Sequence, residues 1–249
     1  MDAIPQRLTN IRREVEQAAL ACGRNPADIT LVAATKTQTG DTVRAAIAAG
    51  ITVCGENRVQ ELTAHLAEGA YEGAEVHFIG HLQTNKVKSV VGKVALIHSV
   101  SSEKLLLAIE TQAEKLGIRQ DILLEVNLAA EPSKSGFLPE EVSHAARLAL
   151  SLPHVRLRGL MCIPPAAQFP KENMSYFQKL AALAVDIRQE MEDNVADIVC
   201  LSMGMSGDYQ DAVAAGATHI RLGTALFGPR PPLAIRNDNA KGAQFNGNF

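Results

Sequence analysis

The chain has no marked excess of charge of either sign, few aromatic side chains and no long apolar run. Its 24 basic residues against 27 acidic ones leave a net charge of −3. That balance argues against a nucleic-acid surface or a polybasic membrane patch and leaves room for a small anionic or zwitterionic ligand. Aromatic residues make up 4% of the chain, too few to mark an interface patch. No window approaches the ~20 apolar residues of a membrane span. Met1 to Arg24 mixes acids and bases along an amphipathic pattern and lacks the apolar core of a signal peptide. A soluble cytoplasmic monomer, with no nucleic-acid or membrane partner, is the expectation. The four cysteines, Cys22, Cys54, Cys162 and Cys200, lie far apart, without the close spacing of metal sites or redox pairs. Three of them fall inside expected strands, as buried reduced thiols.

What the chain does have is a regular alternation. At 249 residues and 47% hydrophobic it suits one large α/β domain. A helix over Pro5 to Cys22 carries Leu8, Ile11, Val15, Ala18 and Ala19 at helical spacing, and Gly23 ends it. The apolar stretch Leu31 to Thr35 follows, then a helix capped by Asp41 and running through Ala49, then strand Ile51 to Cys54. The pattern continues with a helix from Val59 to Leu66, strand Val76 to Ile79, a helix from Asn85 to Val91 and strand Ala95 to Val100. Ser101 or Ser102 caps a helix to Leu116. After it come strand Ile122 to Val126, a helix from Pro139 to Leu150, strand Leu157 to Cys162, a helix from Asn173 to Met191 and strand Ile198 to Ser202. A helix from Asp208 to Ala215 and strand His219 to Leu222 complete the series. About eight strands alternating with helices predict a single closed (β/α)8 barrel with an extra N-terminal helix. A dinucleotide-binding sheet would need Gly-x-Gly-x-x-Gly after the first strand, where Thr35 to Gly40 supplies none. The barrel is expected over residues 1–230 and an irregular tail over 231–249.

In such barrels the chemistry lies at the C-terminal strand ends, and phosphate is often held after strands seven and eight. Strand seven runs into Ser202-Met203-Gly204-Met205-Ser206-Gly207-Asp208, small residues leading into a helix N-terminus that attracts anions. Strand eight ends Arg221-Leu222-Gly223-Thr224, a glycine for close backbone approach and a hydroxyl donor. Ser206 as a simple cap and Gly223 as a simple turn are the plainer alternatives. Lys36 stands at the end of strand one, where a partly desolvated amine can form a Schiff base with an aldehyde. Pyridoxal 5′-phosphate carries both an aldehyde and a phosphate. Arg221, on the strand beside strand one, would point a permanent cation at the pyridine nitrogen and keep it unprotonated. A solvated arginine or a phosphate clamp are its other readings.

Several long motifs carry a resemblance: Ala34-Thr35-Lys36-Thr37, Gly55 to Glu61 (Gly-Glu-Asn-Arg-Val-Gln-Glu), His77 to Lys86 (His-Phe-Ile-Gly-His-Leu-Gln-Thr-Asn-Lys), Ser133-Lys134-Ser135-Gly136, Arg158-Gly159-Leu160-Met161, Ser202 to Ser206 and Arg221 to Gly228. Together they resemble the pyridoxal phosphate homeostasis proteins, the YggS/PROSC family, over about residues 5 to 230. The resemblance implies a fold like the N-terminal barrel of alanine racemase, with pyridoxal 5′-phosphate bound through Lys36. It implies that Asn57, Ser206, Gly223 and Thr224 surround the cofactor and that Arg221 lies near its ring nitrogen. It further implies a carrier or regulator in intracellular vitamin B6 homeostasis, with apo pyridoxal-phosphate enzymes as recipients and no established catalysis. Gln38 and Thr39 stand where family members often carry a second lysine and a proline.

No catalytic residue and no metal ligand are assigned. Racemisation would need an acid/base group on each face of a substrate. In alanine racemase the second is a tyrosine from a further domain, expected here to be missing. Of Tyr71, Tyr176 and Tyr209, the last follows the phosphate loop and reads most simply as a helix-surface residue. His77 and His81 lack the helix and the extra ligands of a metal pair and are expected to line the mouth or to pack. Glu56 reads as an ion-pair partner of Arg58 or of another strand-end base, Asn57 as a neighbour of the cofactor ring, Lys134 as a loop charge and Asp208 as support for a helix N-terminus. The alternatives to a carrier are a weak pyridoxal-phosphate amino-acid enzyme, or a cofactor-free Schiff-base aldolase using Lys36.

Overall fold

Parallel strands flanked by amphipathic helices close into a ring because each strand pairs only with its two neighbours in sequence, and the last returns to the first. The computed structural model describes residues 3–167, 169–191 and 198–229. The order is α1 (Ala3–Ala21), β1 (Thr30–Ala34), α2 (Gly40–Ala48), β2 (Val53–Glu56), α3 (Val59–Ala67), β3 (Glu75–Phe78), β4 (Leu96–Val100), α4 (Glu103–Leu116), β5 (Gln120–Val126), α5 (Val142–Ser151), β6 (Val155–Cys162), α6 (Met174–Glu190), β7 (Cys200–Ser202), α7 (Tyr209–Ala214), β8 (His219–Leu222) and α8 (Thr224–Phe227). The strands form one closed barrel in the order β1 to β8. β1 joins β8 through four register pairs, whereas β7 meets β8 through the single pair Ser202 and His219. The expected tail, 231–249, lies outside the described residues.

Local chemistry accounts for the departures from expectation. β2 covers Val53–Glu56 rather than residues 51–54, because it pairs with β3 as far as Glu56 opposite Phe78. The segment between β3 and β4 forms a 3-10 turn over Thr84–Ser89, not an α-helix. Thr39, not Asp41, caps α2, its side chain accepting from Thr42 N. Ser102 caps α4, and Gly117 in the left-handed region (φ 63°) ends it.

The main core lies between the strands and the helix layer, with Phe78, Phe177, Leu62 and Leu106 fully buried. Alternate strand residues face inward. Inside the barrel they make two separate apolar patches, Val32, Ala34, Val53 and Ile79 on one side and Leu96, Leu123, Met161 and Cys200 on the other. Cys54 and Cys162 are also buried and Cys22 is exposed, as expected of reduced thiols with no disulfide.

Candidate functional site

The C-terminal ends of four consecutive strands, β7, β8, β1 and β2, bring the expected residues together. Lys36 lies just past β1 and Asn57 just past β2, both partly buried; Ser206 lies in the loop after β7; Arg221 is in β8; and Gly223 and Thr224 open α8. Gly223 stands beside Ala34, two residues before Lys36.

Lys36 is held through its neighbours' bonds. Thr35 is buried, its hydroxyl donating to Glu56 Oε1 at 2.7 Å with Gly55 O 3.2 Å away. Thr37, in the left-handed region at φ 65°, donates its N–H to Glu61 Oε2 at 2.9 Å. Gln38 O lies 3.2 Å from His65 Nε2, and His65 Nδ1 lies 3.1 Å from the Tyr71 hydroxyl. The backbone on both sides of the lysine is therefore tied to β2 and α3. Glu56 does not pair with Arg58, which binds Glu61 instead. It is fully buried under α3, 3.5 Å from His65 Nδ1, and burial raises its pKa above the usual carboxylate range.

At the other end of the site Ser206 Oγ accepts from the N–H groups of Gly223 at 3.3 Å and Ala225 at 3.1 Å. A side-chain oxygen thus gathers the amides expected to meet a phosphate. Asp208 accepts from Met205 N and from Asn173 Nδ2. It stitches the loop rather than capping α7. Arg221 is buried, neither solvated nor available as an open phosphate clamp, and donates to Ser202 Oγ at 2.7 Å and to Cys162 O at 2.9 Å. Thr224 is exposed.

Beside Asn57, on the β2–β6 side of the mouth, a cavity of about 240 Å³ is lined by Asn57, Ile79, Ser99, Glu125, Asn127 and Lys134, among others. Asn57 Oδ1 is buried there without a hydrogen-bond partner. Gly80 makes the close approach possible: a Cβ on it would fall 2.0 Å from Asn57 O. Burial pushes the Glu125 carboxyl up to about 7, against the pull of the Arg221 cation. Lys134 pairs with Glu131 at 2.9 Å. Among the described residues no cluster of histidine, cysteine or acid side chains fits a metal ion.

His81 sits at the mouth, 3.0 Å from Ser135 Oγ, but His77 packs inside the barrel with its ring 5.0 Å from that of His98. The sequence reading passed over Glu125, His98 and Ser202. Their signal was there: a polar residue at an alternate position within an otherwise apolar strand. Tyr209 is buried, not on a helix surface; its hydroxyl donates to Glu14 of α1.

Comparisons with known proteins cover the barrel that carries this geometry. The alanine racemase N-terminal domain profile matches residues 7–231. A pyridoxal phosphate homeostasis protein of Aquifex aeolicus is 41% identical over 225 residues, which span 90% of this chain and 97% of that protein. The structure of PipY from Synechococcus elongatus with PLP bound is 34% identical, covers 90% of this chain and 100% of that one, and superposes with a TM-score of 0.79. An alanine racemase of Clostridium difficile, at 15% identity and TM-score 0.69 over 93% of this chain and 58% of its own, shares the fold. The chain belongs to the alanine racemase N-terminal domain family, among its pyridoxal phosphate homeostasis proteins.

Proposed function

We propose that this chain binds pyridoxal 5′-phosphate at its barrel mouth and serves as a carrier and regulator of that cofactor in vitamin B6 homeostasis. In this reading it is a cytoplasmic monomer that delivers cofactor to apo enzymes and catalyses no turnover itself. The observation that carries the reading is the meeting of two ligand-type elements on adjacent strands. Lys36 ends β1, and the Ser206 hydroxyl gathers two backbone amides at the end of β8.

The donor set fits the group. When bound, pyridoxal phosphate supplies an aldehyde, an electron-withdrawing ring and a phosphate. Lys36 is the amine that would hold the aldehyde carbon, with loss of water. Ser206, the amides of Gly223 and Ala225, and the Thr224 hydroxyl would take the phosphate. Asn57, with its orphaned oxygen, lies where a ring substituent would meet it, and Arg221 supplies the fixed cation for the ring nitrogen. A cation that never gives up its proton keeps that nitrogen unprotonated and the ring a weak electron sink. The pyridoxal phosphate homeostasis relatives and the Synechococcus structure with PLP bound support binding of the cofactor.

The reading without turnover is supported by how the three tyrosines are placed. Proton transfer on both faces of a bound amino acid needs a second group opposite Lys36. The Tyr71 hydroxyl is bonded to His65 and the Tyr209 hydroxyl to Glu14, while Tyr176 lies beside Lys179 on α6.

Absorption spectroscopy of the purified protein tests the proposal. Reconstitution with pyridoxal phosphate gives a visible band that borohydride fixes to the chain, and Lys36→Ala removes it. A protein that stays colourless after reconstitution overturns cofactor binding. Lys36-dependent exchange of the α-hydrogen of alanine in deuterated water overturns the non-catalytic reading.

A further inference from the structure

Barrels of this size are ordinarily filled with branched apolar side chains. Here the two interior apolar patches are accompanied by a file of buried polar groups that begins at the candidate site. Arg221 Nη1 lies 2.7 Å from Ser202 Oγ, Ser202 Oγ 2.8 Å from His98 Nδ1, and His98 Nε2 3.0 Å from His77 Nδ1. At the foot of the file His77 Nε2 faces the exposed Glu75 carboxylate at 3.6 Å. Ser202 and His98 are fully buried, and His77 and Arg221 are within 5% of it. The residues come from four strands, and barrel closure alone brings them into line.

The direction of every bond follows from the donors available. A guanidinium has donors only, so Ser202 accepts from Arg221. The buried Ser202 hydrogen then needs an acceptor of its own, and His98 Nδ1 is the one at hand. That places the His98 proton on Nε2, donated to His77 Nδ1, and the His77 proton on Nε2, aimed at Glu75. Reversing the file strands the Ser202 hydrogen and turns a ring lone pair toward a carboxylate. Both arguments select the same polarity. Neutral rings are required throughout, and burial supplies them: it lowers His77 to about 3 and holds His98 well below the ordinary range. His219 packs on both rings at 5.9 and 5.8 Å but bonds sideways to Thr218, 2.9 Å away, and burial lowers it to about 4.

We infer that Ser202, His98 and His77 form a one-way hydrogen-bonded file that fixes the Arg221 guanidinium in its orientation at the barrel mouth. They are positioning residues for that arginine, with both histidines locked in the Nε2–H tautomer. Cys162 O holds the other arm of the fork. Two anchors on one planar group leave it no free rotation, so the cation is set in direction before any ligand arrives.

The test begins with the unaltered chain, labelled with nitrogen-15 and studied by NMR without any ligand. Both His77 and His98 show the Nε2–H pattern, unchanged from about pH 5.5 to about pH 9 although a free histidine titrates near 6.5. The Arg221 Nη protons resolve as separate, slowly exchanging signals. An Nδ1–H tautomer at either ring, or titration of either in that window, overturns the inference. Variants then test the coupling. His98→Leu removes the acceptor and averages the Arg221 signals; His98→Asn, which keeps a polar group near the Nδ1 position, preserves them. Separate Arg221 signals persisting in a folded His98→Leu protein overturn the positioning role. One further arm rests on the pyridoxal phosphate reading. Loss of one anchoring bond weakens cofactor affinity about tenfold in His98→Leu and less than about threefold in His98→Asn. If the cofactor fails to bind even the unaltered chain, that reading falls while the NMR arms still decide the file.

Discussion

The two flanks of the barrel mouth solve opposite problems. On the β1–β2 flank the chain on either side of Lys36 is tied down by its neighbours, through Thr35 to Glu56, Thr37 to Glu61 and Gln38 to His65. On the β7–β8 flank the Arg221 side chain itself is tied down, through Ser202 and Cys162. A group that must form and break a bond needs the backbone at its base fixed. A group that acts only by its field needs its charge fixed. The buried residues differ accordingly: a carboxylate, Glu56, organises the lysine flank from beneath α3, whereas neutral histidines support the arginine.

This contrast predicts unequal costs for mutation. The largest is on the arginine flank. Arg221→Ala removes two hydrogen bonds and opens a void, and costs about 4 kcal/mol by denaturant unfolding. Lys36→Ala, at a partly buried strand end, costs less, on the order of 1 kcal/mol. Equal costs for the two would break the comparison. Next is Glu125, which lines the cavity on the β2–β6 side of the mouth. Its carboxyl titrates at about 7 in the fold against an ordinary 4.5. The native state therefore binds the extra proton between those values, and the stability from this group is complete below about 4.5 and is lost as pH rises through about 7. Above that, ionisation costs on the order of 3 kcal/mol. Glu125→Gln, which keeps the neutral shape, matches the unaltered chain at acid pH and is the more stable by up to that amount at pH above 8. Parallel stability curves for the two proteins would remove Glu125 from the account. The smallest effect is on the lysine flank. Glu56→Ala strands Thr35 and the Asn57 N–H but relieves a costly buried charge, for a net loss of about 2 kcal/mol. Its pKa is also raised by burial, so the loss is greatest at low pH and shrinks as pH rises.

The repeating pattern made the fold legible. Eight short apolar strands alternate with helical segments, and β8 at His219–Leu222 falls where its periodicity places it. β2 was harder to place, since Gly55 and Glu56 do not look like strand residues; Gly55 is there because a Cβ would fall 2.6 Å from Val32 Cγ1. Lys36, Ser206 and Arg221 were legible because strand ends are where such barrels place their chemistry. The partner of Glu56 was not, because an acid at a strand end is read as pairing with a nearby base such as Arg58 until a helix is seen to bring His65 over it. Nor was the file beneath Arg221. Residues 77, 98, 202 and 221 belong to four strands, and nothing local relates them until the ring closes.

The single register pair between β7 and β8 has a mechanical consequence. The register pairing is shortest here, and the backbone bonds that cross the join, Thr218 N to Leu201 O, Met203 N to His219 O and Arg221 N to Gly204 O, are the ones that local opening has to break. Ser206 reaches across this join from the β7 side to amides on the β8 side, and Ser202 crosses it again to Arg221. A guest seated on those same atoms would act as a rivet through the seam. For a carrier, letting go of its cargo and loosening its own hoop would then be one act.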